Sequence, residues 1–169
     1  MTFAGQYARG EGFVPTAPED RGPADIAALG SSDTVAVALP CTPFGLAESE
    51  YTPAKAILGV GGLLALATDL NPGTAWCESM QFAIALACRA MRLTPAQAIA
   101  AATINAAAAI GRAASIGSLE PGKQADLLVL SVSDYRHLGY RFGTNLVQTV
   151  IKRGQMVGHL AGESGGWGN

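Results

Sequence analysis

The 169-residue sequence predicts an α/β fold that gives way, near residue 116, to a small β unit. Three observations carry this. Two short apolar runs, TVAVALP at 34–40 and GLLALATD at 62–69, flank a helical segment in strand, helix, strand order. Two later segments repeat their apolar residues at spacings of three and four, as helices with one buried face do. Beyond residue 116 the period falls to two, the spacing of strands.

Composition narrows the class. Hydrophobic residues make up 49% and charged residues 14%, so the chain can bury a core and disorder is excluded for the bulk of it. Eleven basic against thirteen acidic residues give a net charge of -2, which excludes the basic surface that a nucleic acid or an anionic membrane requires. The cysteines are Cys41, Cys77 and Cys88, odd in number and without CxxC spacing. A disulfide framework is therefore not expected, and a reducing compartment is. With no signal-peptide pattern at the start and no apolar run of about eighteen residues, the expected location is the cytoplasm.

The elements follow in order. Residues 1–23 mix Gly, Pro, Glu, Asp and Arg without period and are expected to be irregular. ADIAALG reads as a short helix ending at Gly30, and TVAVALP as a strand covered on both faces. Thr52 and Pro53 supply an N-cap and a first helical position for PAKAIL, and GLLALATD is a second covered strand closed by Asp69 and the turn NPGT. Ser79 caps a helix with Met80, Ala83, Ile84, Ala87 and Met91 on one face. Thr94, Pro95 and Gln97 form a capping box for one long helix to Gly111, with Ile99, Ala102, Ala106 and Ile110 as its stripe. Its many alanines imply close helix packing. In the β unit, Pro121 and Gly122 centre a turn, and Lys152 to Gln155 form a hairpin loop. The stretch 159–169 is glycine-rich and expected to be a flexible tail. Two covered strands need neighbours on both sides, so the chain reads as the end of something larger.

The sharpest chemistry is in ATDLNPGT. Asp69 stands at the carboxyl end of an apolar strand, where barrels and open sheets place their active sites. A carboxylate there binds a metal, accepts a proton from metal-bound water, or caps the turn through an Asx-type bond to Asn71 or Gly73. Asn71, Gly73 and Thr74 are either turn formers or groups that face a ligand. Glu78 reads as a first-turn helix carboxylate, and Cys77 has no local histidine to activate it. His137 and His159 belong to no HxH, HExxH or Cys/His cluster, so the chain cannot build a full metal site alone.

Four stretches carry a resemblance. GSLEPGKQADLLVL is common among metal-dependent amidohydrolases, and ATDLNPGT, MRLTPAQA and DYRHLGYRFGTNLV together resemble the imidazolonepropionase family within that superfamily. The resemblance covers roughly residues 24–158. It implies the carboxyl-terminal part of a (β/α)8 amidohydrolase barrel over 24–115, with terminal strands of a small β-sandwich over 116–158. Residues 1–23 do not follow the family, as in a truncated or frame-disrupted reading of a gene.

The function implied is that of a C–N hydrolase of cyclic amides, opening 4-imidazolone-5-propanoate to N-formimidoyl-L-glutamate in histidine degradation. The implied cofactor is a divalent zinc or iron ion, held by an HxH pair, a third histidine and an aspartate. Asp69 matches that aspartate as metal ligand and catalytic base. Asn71, Gly73 and Thr74 match substrate-contacting positions, Cys41 stands where the family usually has glycine, and the parent protein is implied to be a homodimer. The histidine ligands fall outside these 169 residues, so the chain by itself is expected to be inactive. The alternatives are another amidohydrolase or deaminase of the superfamily, and a non-catalytic α/β binding protein.

Overall fold

The computed structural model describes residues 5–9, 12–15 and 22–159. In chain order the elements are β1 (Gly5–Arg9), β2 (Gly12–Pro15), α1 (Pro23–Gly30), β3 (Val35–Ala38), α2 (Cys41–Gly45), α3 (Ala54–Gly59) and β4 (Leu63–Leu66). There follow α4 (Met80–Arg89), α5 (Pro95–Ala102), α6 (Ile104–Ala109), β5 (Leu127–Leu130), a 3-10 helix (Tyr135–Gly139), β6 (Val147–Lys152) and β7 (Gln155–His159). Strands pair as β2-β1-β3-β4 in one sheet and β5-β6-β7 in another. Among the described residues only β3 and β4 pair in parallel, with Val35 opposite Leu63 and Ala38 opposite Leu66. Both carboxyl ends therefore open on one edge, and the loops that leave them must meet there.

Within the stretch expected to be irregular, β1 and β2 pair antiparallel, and β1 also pairs antiparallel with β3. Strands of five and four residues are too short for a period of two to show, and the pairing with β3 is long-range. The rest of residues 1–21 and the tail 160–169 lie outside the described residues. His159 itself closes β7, where its Nδ1 and the Thr149 hydroxyl form a 2.8 Å hydrogen bond.

The core lies where the helices close on β3 and β4. Ala38, Leu64, Ala87 and Ala98 are fully buried, with Ile57 and Ala101 nearly so. Alanine on α4 and α5 lets those two helices pack closely on each other, as the composition implied, and α5 and α6 pack on β4. α4 begins as read, with the Ser79 hydroxyl accepting from Phe82 N. α3 starts one residue late: Pro53 is its N-cap, and Thr52 engages Ala54 N through its backbone carbonyl.

The capping box of α5 forms as read, with the Thr94 side chain accepting from Gln97 N and Gln97 reaching back to Thr94 N. The single long helix does not. Thr103 departs from helical geometry at φ -124° and ψ -92°, with its hydroxyl donated back to Ile99 O at 2.7 Å. The buried face is then Ala98, Ala101 and Ala107, while Ile110 is exposed. The break re-aims α6 so that Asn105 Nδ2 donates to Leu64 O at 2.9 Å, serving a backbone carbonyl on the end strand of the sheet.

In the β unit, Arg153 and Gly154 both take positive φ and join β6 to β7 in a two-residue turn. Asp126 anchors that turn by accepting from Lys152 Nζ and Arg153 N, and these bonds hold its carboxyl down at about 2. Gln81 on α4 accepts from Leu146 N and donates to Asn145, tying the β unit to the helical layer.

The close packing of α4 on α5 makes a prediction. Ala87→Leu, at a site with no accessible surface, should destabilise the chain by about 1 to 3 kcal/mol through overpacking. Ala96→Leu, at an exposed site on α5, should be nearly neutral. Urea denaturation of both variants checks this, and equal effects would contradict the packing described.

Candidate active site at the strand ends

Past β4 the chain runs through Ala67 and Thr68 to Asp69, which sits at φ +56° in the left-handed region. Asp tolerates that region better than most residues, because a short polar side chain can bond locally. Two bonds hold it there. The Thr42 hydroxyl donates to Asp69 Oδ2 at 2.8 Å, and Asn71 Nδ2 donates to the Asp69 backbone carbonyl at 2.6 Å.

Asn71, rather than Asp69, is the turn cap. Its Oδ1 accepts from both Gly73 N and Thr74 N at 2.8 Å, and its backbone N donates to Ala75 O at 3.1 Å. Asp69 is therefore not employed as an Asx cap. The structure does bring Asp69, Asn71, Gly73 and Thr74 into one turn, but it commits the Asn71 amide within that turn, including a 3.3 Å bond to the Thr74 hydroxyl.

Thr42 is the site residue that sequence reasoning missed. It is buried at 1% exposure on α2, the short helix that follows β3. The signal was the polar Thr after Pro40 and Cys41, at the same carboxyl edge as Asp69. A short helix there keeps the loops in contact. A side-chain carbon at Gly45 would stand 2.3 Å from the Thr74 carbonyl oxygen, so only glycine admits this approach. Phe44 and Phe82 add an edge-to-face ring contact at 5.1 Å.

Cys41 opens α2 without adopting a positive φ. Its thiol is buried with Ala75, Ala83 and Leu86, and Cys77 packs on the same cluster. Burial pushes the Cys41 thiol up to about 12, helped by the neighbouring Cys77 thiol and by the Asp69 charge. At neutral pH it is a protonated thiol. Glu78 is exposed and precedes the N-cap Ser79, so it stands outside the helix whose first turn it was expected to occupy. His137 lies in the 3-10 helix, and His159 is engaged with Thr149.

Among the described residues, no three His, Cys, Asp or Glu side chains gather where they could hold a metal ion. Asp69 offers one carboxylate, and that donor set does not fit a complete metal centre. Also among the described residues, no helix is long and apolar enough to cross a membrane.

The Thr42–Asp69 bond joins the loops that follow two different strands and should contribute measurably to stability. In a double-mutant cycle of Thr42→Val and Asp69→Ala, chemical denaturation should give a coupling of about 1 to 2 kcal/mol, at the low end for a charged acceptor because Asp69 is half-exposed. Additive effects would show that the bond does not form in solution.

Comparison with known proteins places this geometry. The amidohydrolase family model matches residues 14–157. Imidazolonepropionase of Herpetosiphon aurantiacus is 56% identical over 145 residues, covering 86% of this chain and 33% of that protein. The enzyme of the same name from Chloroflexus aggregans is 48% identical over 136 residues, covering 80% of this chain and 32% of that protein. Among solved structures, an adenosine deaminase from Xanthomonas campestris with bound zinc superposes with a TM-score of 0.72 at 25% identity, covering 81% of this chain and 35% of that one. This chain thus spans about a third of the length of the curated relatives it matches. A parallel strand pair whose carboxyl-end loops converge on one aspartate, within a match that runs nearly the whole chain, makes this protein a member of the amidohydrolase family.

Proposed function

We propose that this chain supplies the Asp69 edge of an imidazolonepropionase active site. The whole enzyme hydrolyses the cyclic amide 4-imidazolone-5-propanoate to N-formimidoyl-L-glutamate, a step of histidine degradation, in the cytoplasm and as a homodimer. The observation that carries the reading is Asp69, at the carboxyl end of β4, held in the left-handed region by a buried hydroxyl from the loop after β3. Relatives at 48% to 56% identity support imidazolonepropionase over the deaminase likeness, which stands at 25%.

The reaction adds one water across a ring C–N bond. Asp69 takes the proton of the attacking water and delivers it to the ring nitrogen as that bond breaks. Thr42 fixes the carboxylate oxygen Oδ2, which leaves Oδ1 to face the reacting centre. The turn 71–74 presents one wall to the substrate, with Asn71 shaping it and Gly73 and Thr74 exposing its edge to the propionate and the ring polar groups. The divalent ion of this family, zinc or iron, has one donor among the described residues of this chain, Asp69.

The test joins residues 24–158 to a homologous amino-terminal segment bearing the HxH pair and follows loss of substrate absorbance. Asp69→Asn keeps the shape and loses the proton acceptor, so kcat should fall by about 10²-fold or more. This chain unjoined should give no turnover. An Asp69→Asn enzyme that retains most of its kcat would overturn the reading.

A further inference from the structure

We propose that Cys41 and Cys77 are a modification site: a thiol pair that peroxide closes to an intramolecular disulfide at the strand-end edge. The inference does not depend on the reaction proposed for Asp69. The two cysteines are 36 positions apart in sequence, and Cys77 packs on the small apolar cluster that Cys41 forms with Ala75, Ala83 and Leu86. Cys41 is the first residue of α2, and Cys77 lies between the turn 71–75 and the start of α4. The third cysteine, Cys88, belongs to the main core, where its sulfur lies near Gly139.

Access sets the order of events. Cys41 is 2% exposed, whereas Cys77 is only half-buried and its Sγ points toward the Ser79 carbonyl at 3.7 Å. Hydrogen peroxide therefore reaches Cys77 first, transferring one oxygen to Sγ and leaving one water behind. The Cys41 thiol, still carrying its proton, then condenses with the Cys77 sulfenic acid. The S–S bond forms as the S–O bond breaks, and the hydroxide departs with the Cys41 proton as a second water. Two thiols and one peroxide become one disulfide and two waters.

Closure would link the loop after β3 to the loop after β4 covalently, one residue from Thr42 and close to the turn that holds Asp69. The pair would thus clamp the same two loops that the Thr42–Asp69 bond joins. Only two of the three cysteines take part, which is what an odd total leaves room for.

The experiment uses the whole 169-residue chain. Native protein is treated with hydrogen peroxide at neutral pH, alkylated, digested without reductant and mapped by mass spectrometry. The expected product is a Cys41–Cys77 crosslinked peptide, two hydrogens lighter than the paired thiols and released by dithiothreitol, with Cys88 alkylated. Cys77→Ser should abolish the crosslink, and Cys88→Ser should leave it. In urea the preference should reverse, because Cys77 and Cys88 are only 11 positions apart and the shorter loop closes about sixfold more readily on the three-halves power of length. A native sample that gives mainly Cys77–Cys88 or intermolecular links, an over-oxidised Cys77 without a link, or three free thiols would each overturn the proposal.

Discussion

The candidate site depends on one hydrogen bond, from the buried Thr42 hydroxyl to the half-exposed Asp69 carboxylate. β3 and β4 are parallel and end at the same edge, but nothing in strand pairing alone fixes how their loops lie beyond it. Thr42 supplies that constraint from one loop, and Asn71 supplies it from the other by gripping the Asp69 carbonyl. Together they hold a non-glycine residue at positive φ, a conformation that persists only where its surroundings over-determine it. The close approach of Gly45 to Thr74 and the ring contact of Phe44 with Phe82 reinforce the same alignment.

This gives the turn 71–74 a different character from the one its sequence suggests. Asn71 spends both ends of its amide on the loop itself, so its contribution to any ligand is the shape of the turn. A turn so built is fixed by its own hydrogen bonds, and a fixed turn is what a positioned carboxylate requires. The Asn105 bond to Leu64 O extends the principle to the strand: the chain bends at Thr103 between α5 and α6, and the Asn105 side chain then reaches a carbonyl of the strand that delivers Asp69.

Much of this was legible in the sequence because short-range physics fixed it. The covered strands, the Ser79 cap, the Thr94–Gln97 capping box, the Arg153–Gly154 turn and the strand-end position of Asp69 all follow from residues within a few positions of one another. What escaped reading was long-range. The pairing of β1 with β3, the choice of Ala98, Ala101 and Ala107 as the buried stripe, and the meeting of Thr42 with Asp69 each join residues that only the fold brings together. The break at Thr103 belongs to both classes: a threonine bonding back to the fourth residue before it is local, but the carbonyl that rewards the bend lies on β4.

The most direct test of this account is the backbone conformation of Asp69 in solution, read from the NMR scalar couplings that distinguish positive from negative φ. The account predicts positive φ in the native chain and loss of that signature in Asn71→Ala, where the grip on the Asp69 carbonyl is gone. An Asp69 at negative φ in the native chain, or one that stays left-handed without Asn71, would contradict it.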